Sequence, residues 1–77
     1  MSLDQLKNGQ SAVVFGYDPA LAAERRERFE DIGLVVNTPI RRQSQAPLGD
    51  PVIFLVRGLR LCLRRKEARH IYVRPCD

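Results

Sequence analysis

The sequence has no tryptophan, one histidine and two cysteines in 77 residues, and only 6% of it is aromatic. Each scarcity excludes something. Cys62 and Cys76 are too few for the disulfide frameworks that hold small secreted domains together, so they read as reduced thiols. His70 has no second histidine to pair with, and neither cysteine sits in a Cys-x-x-Cys. His70, Cys62, Cys76 and Asp77 therefore lack the spacing of a metal site, and no metal ligands and no cofactor are expected. There is no Gly-rich phosphate loop, and the lone histidine has no adjacent nucleophile. The expectation is a protein that is not an enzyme and has no catalytic residues. No apolar run approaches the roughly 20 residues that cross a bilayer. Residues 1–10 carry no signal-peptide core, so the expected location is cytoplasmic.

What is present is an ordinary folding composition, 44% hydrophobic and 29% charged. The length fits one domain spanning residues 1–77. A chain this short buries about 60–65% of its unfolded surface, so a functional site belongs on the outside. The net charge of +4 is unevenly spread. Residues 1–40 hold four basic against six acidic side chains, a net of −2, and residues 41–77 hold nine against three, a net of +6. A basic half fits an acidic protein partner, an anionic lipid surface or nucleic acid.

Local signals give five strands and one inserted helix. Gly9 is a turn before a first strand at Ala12-Val13-Val14-Phe15. Asp18-Pro19 reads as N-cap and first helical residue of a helix over 20–32, with Leu21, Ala22, Phe29 and Ile32 facing inward. Gly33 supplies a left-handed C-cap. Asn37 suits a turn ahead of a strand over 38–43, in which Pro39 favours a strand start or an edge. A loop over 44–51 then leads to strands at 52–57 and 59–64, joined at Gly58. One helical turn follows at 65–69, and a last strand at 70–73 ends near Pro75. Closing such a sheet removes its edges, and the fold expected is a mainly β, partly open, small SH3-like five-stranded barrel.

Ala46-Pro47-Leu48-Gly49-Asp50-Pro51 is the most distinctive stretch. Pro47 presets a turn φ, Gly49 permits a positive φ, and Asp50 can accept from backbone N–H groups. This turn, with Leu61-Cys62-Leu63-Arg64, Glu67-Ala68 and Arg28-Phe29-Glu30-Asp31-Ile32-Gly33-Leu34, resembles the ferrous iron transport protein A (FeoA) family over residues 6–73. Two departures are Val36-Asn37, where the family often has Pro-Gly, and Pro39, at a position commonly polar. The resemblance implies a free-standing accessory or regulatory protein of bacterial ferrous iron uptake. Its partner would be the membrane permease that carries a cytoplasmic GTPase domain (FeoB), met by peripheral association. The alternatives are a small basic barrel that binds nucleic acid and a metal-responsive regulatory module.

Strand alternation sharpens where docking would occur. Val52, Phe54 and Val56 share one face with Leu59, Leu61 and Leu63. Ile53, Leu55 and Arg57 share the other with Arg60, Cys62 and Arg64, and the arginines mark it as the outer face. Ile53 and Leu55 are then expected outside, as a partner or self-association patch rimmed by Arg57, Arg60 and Arg64. Leu48, at the tip of the turn, is the remaining expected contact. Nucleic-acid binding would call on exposed aromatics, for which Tyr17 and Tyr72 are the candidates.

Overall fold

The computed structural model describes residues 1–76. Five antiparallel strands form one sheet: β1 (Ser11–Tyr17), β2 (Pro39–Gln45), β3 (Val52–Val56), β4 (Leu59–Leu63) and β5 (Ile71–Pro75). Their order across the sheet is β4-β3-β2-β1-β5. The sheet curls into a mainly β, partly open barrel in which β4 and β5 are edges. Helix α1 (Ala23–Asp31) is inserted between β1 and β2, and the short α2 (Arg65–Ala68) between β4 and β5.

Alternation decides the interior. Val52, Phe54 and Val56 point inward from β3 and meet Ala12 and Val14 of β1, Ile40 of β2, and Ile71 and Val73 of β5. Pro39 opens β2 but lies in the middle of the sheet, paired with Val13, so it is a strand-start residue and not an edge residue. The N-terminal segment is a structural part of the barrel. A 3-10 turn at Leu3–Gln5 carries Leu3 and Leu6 wholly into the core. Ser2↔Tyr72 bridges this segment to β5.

The helix differs from expectation. It starts at Ala23, with Ala22 at the N-cap position and no side-chain cap. Asp18 and Pro19 form a separate turn instead, in which Asp18 Oδ1 accepts from Ala20 N at 2.9 Å and Asp18 O from Leu21 N at 2.9 Å. The turn drops Leu21 into the core ahead of the helix, so the helix itself needs only Phe29 as an inward anchor. Ala22 is exposed, and Ile32 is 43% exposed, correcting the inward stripe. Leu59 is also corrected. It is on the inner-face register of β4, opposite the buried Val56, yet it is 72% exposed because β4 is an edge strand with no neighbour to cover its hairpin end.

Backbone signals match their residues. Gly33, Asn37 and Gly49 take positive φ, of 101°, 74° and 89°. The β3–β4 hairpin turns on Arg57 and Gly58, at φ of 52° and 81°, the signature of a two-residue type I′ turn.

Candidate docking surface

The 46–51 turn is closed by Gly49 N to Ala46 O at 2.7 Å and Ala46 N to Pro51 O at 3.0 Å. Asp50 does accept a backbone N–H, but from Arg65 at the start of α2, at 2.9 Å. Arg65 Nε donates back to Gly49 O at 2.7 Å. The turn is thus latched to α2 as well as fixing the hairpin that follows it. Its tip carries Leu48, 97% exposed.

On the outer face of β3, Ile53 and Leu55 are half-buried, as alternation required. Their cross-strand neighbours explain why they are not fully exposed. Leu55 lies between Arg41 of β2 and Arg60 of β4, and Ile53 between Ser44 and Cys62. Arginine stems can cover apolar surface while their guanidinium groups stay in water. Of the arginines expected around this pair, Arg60 is adjacent. Arg57 leans over the sheet end toward Thr38, its Nη2 3.5 Å from Oγ1. Arg64, just past the end of β4, lies 4.0 Å from Asp50 Oδ2. Arg41 completes the frame, and alternation along β2 could have identified it.

Two further clusters went unseen in the sequence. Phe15 is 41% exposed, with Tyr72 at 6.2 Å between ring centroids and the Arg74 guanidinium 5.5 Å from its ring centre. Tyr17, by contrast, donates its hydroxyl to Leu34 O and packs on the core, so it is no free stacking surface. Burial pushes its hydroxyl pKa up, reinforced by Glu30. Arg42 is buried, donating to Asn8 Oδ1 at 2.8 Å, Leu6 O at 2.6 Å and Gln45 Oε1. Burial lowers its pKa, and the nearby Arg65 lowers it further.

Cys62 and Cys76 are exposed free thiols. His70 Nδ1 lies 3.1 Å from Asp18 Oδ2, joining the start of β5 to the turn before α1. Among the described residues no three His, Cys, Asp or Glu side chains gather as metal ligands, and Asp77 lies outside those residues. Among the described residues no helix is long and apolar enough to cross a membrane.

The sequence matches the family model for the FeoA domain over residues 1–75. The solution structure of the FeoA protein from Chlorobium tepidum is 36% identical, with a TM-score of 0.89, covering 100% of this chain and 71% of that one. The FeoA-like protein from Clostridium acetobutylicum is 32% identical, with a TM-score of 0.85, covering 97% and 85%. Stenotrophomonas maltophilia FeoA was solved with zinc and is described as a procaryotic SH3 domain protein and a candidate activating factor of ferrous iron transport. It is 29% identical, with a TM-score of 0.82, covering 96% and 89%. No curated protein sequence matches. A five-stranded SH3-like barrel, a latched Ala-Pro-Leu-Gly-Asp-Pro turn and the family match agree: the chain belongs to the FeoA family.

Proposed function

We propose that this protein is a cytoplasmic, non-enzymatic accessory of bacterial ferrous iron uptake that docks on the permease carrying a GTPase domain. Family membership supports the role in ferrous iron transport. The observation that carries the docking reading is the apolar pair Ile53 and Leu55 on an outer sheet face, framed by Arg41 and Arg60. Apolar neighbours on an outer strand face supply affinity, and the surrounding guanidinium groups supply steering toward an acidic surface. Leu48, Arg57 and Arg64 extend this surface at its ends.

The test is pulldown and GTPase assay with the cytoplasmic domain of the cognate permease. Wild type binds, and Ile53→Glu/Leu55→Glu loses at least about tenfold in affinity, as loss of a central anchor does. Failure of wild type to bind that domain and the full-length permease in membranes refutes the proposal. Unchanged affinity of the double variant moves the interface elsewhere.

A second reading, single-stranded nucleic acid on β1 and β5, is favoured by Phe15, Tyr72 and Arg74 alone. Phe15→Ala would then weaken oligonucleotide binding by about 1–3 kcal/mol, the worth of one stacked base.

A further inference from the structure

β4 has one neighbour in the sheet, β3, so its other side is a free edge. Hairpin geometry determines which backbone groups that edge offers. A two-residue turn makes its closing pair, Val56↔Leu59, hydrogen-bonded, and the pairs then alternate. Phe54↔Leu61 and Val52↔Leu63 are bonded, and Leu55↔Arg60 and Ile53↔Cys62 are not. The N–H and C=O groups of Arg60 and Cys62 therefore point away from β3. The edge ends at Arg64, whose N–H is taken by Glu67 Oε1 at 3.2 Å.

A groove of about 310 Å³ runs beside this edge, lined by Ile32, Gly33, Val56, Leu59 and Leu61, with Asp31, Arg57 and Arg60 at its rim. It contains Ile32 and Leu59, large apolar side chains that are exposed against expectation. A strand added to β4 would thus have apolar side chains entering the groove on one face. Its alternate side chains would lie beside Arg60, Cys62 and Arg64 on the other.

Charge selects the occupant. A second copy of this chain pairing β4 to β4 would bring arginines together, Arg60 opposite Arg64 in a pairing about Cys62 and diagonal to Arg60 and Arg64 in one about Leu61, and like charges so placed disfavour a strand pair. An acidic residue at those positions is instead stabilised. We propose that the β4 edge receives an extended partner segment of alternating acidic and apolar residues by strand addition. The proposal deepens the docking reading, which supplies the permease as the source of the segment.

The probe is a capped hexapeptide of alternating glutamate and leucine, titrated into the full chain and followed by NMR and amide exchange, with a lysine–leucine peptide as control. The expected result is protection of the Arg60 and Cys62 amides by the glutamate peptide only. Cys62→Pro removes the edge donor without touching the β3 ladder, and it should weaken binding about tenfold or more. Leu59→Asp, at an exposed site, should do the same through the groove and serves if the proline variant is poorly folded. Equal binding of both peptides, protection elsewhere, or wild-type affinity in both variants overturns the proposal. Self-association lost in Cys62→Pro also overturns it, by making the occupant a second copy. Permease binding that leaves the Arg60 and Cys62 amides unprotected overturns strand addition but not docking. Permease failure alongside productive peptide binding overturns docking but not strand addition.

Discussion

Arg42 shows how a charge is kept inside so small a barrel. Its guanidinium is held by Leu6 O, Asn8 and Gln45, so the interior end of β2 is pinned to the N-terminal segment. Arg42→Ala leaves the Leu6 carbonyl without this donor, and denaturant unfolding should show a loss of about 1–3 kcal/mol. Asp18 acts at the other end of the barrel. The Ala20 N–H and then His70 hold its carboxyl below the usual carboxylate range. A depressed folded pKa stabilises the fold above the unfolded value of about 4 and loses that contribution as pH falls through the folded value. The difference in urea midpoint between wild type and Asp18→Asn should therefore shrink between about pH 6 and pH 3. Both residues evade sequence reading for one reason. Arg42 counts there as part of a basic half, and Asp18 as a helix cap, because Asn8 and His70, the partners that tie them into the barrel, are 34 and 52 positions away.

At the scale of elements, what the sequence discloses depends on how local the cause is. Positive φ at Gly33, Asn37 and Gly49 is a single-residue property, and each was legible, whereas Arg57, read as the last strand residue, is the first residue of the turn. So was the outward register of Ile53 and Leu55, which follows from period-2 alternation. The start of α1, the exposure of Ile32 and Leu59 and the burial of Leu3 and Leu6 depend on where the barrel ends, which no local pattern contains. The β3–β4 hairpin yields a separable prediction. Arg57 occupies a left-handed position that asparagine fills with less strain. Arg57→Asn should raise stability by about 0.5 kcal/mol while weakening permease binding, because one change relaxes the turn and removes a charge. Thermal unfolding and pulldown of the same variant read both.

For the whole molecule, a net charge of +4 concentrated after residue 40 makes association a matter of ionic strength. Binding to the permease domain should weaken from about 50 to about 300 mM salt, chiefly through the on-rate, as screening of exposed charges requires. Stability is more exposed to damage. Phe54 is fully buried at the centre of the core. Phe54→Ala should cost about 3–5 kcal/mol, a large part of the roughly 5–15 kcal/mol a domain has, and denaturant unfolding followed by far-UV circular dichroism should show the midpoint falling accordingly.

β1 is bonded on one side by β2 and on the other by β5. Residues 11–17 are therefore completed by residues 71–75, from the far end of the sheet-forming sequence. Before residues 71–75 are in place, β1 is an edge of the remaining four strands, with one side open. Until residues 71–75 pair with it, that side is a row of unpaired N–H and C=O groups, a template for pairing with another chain.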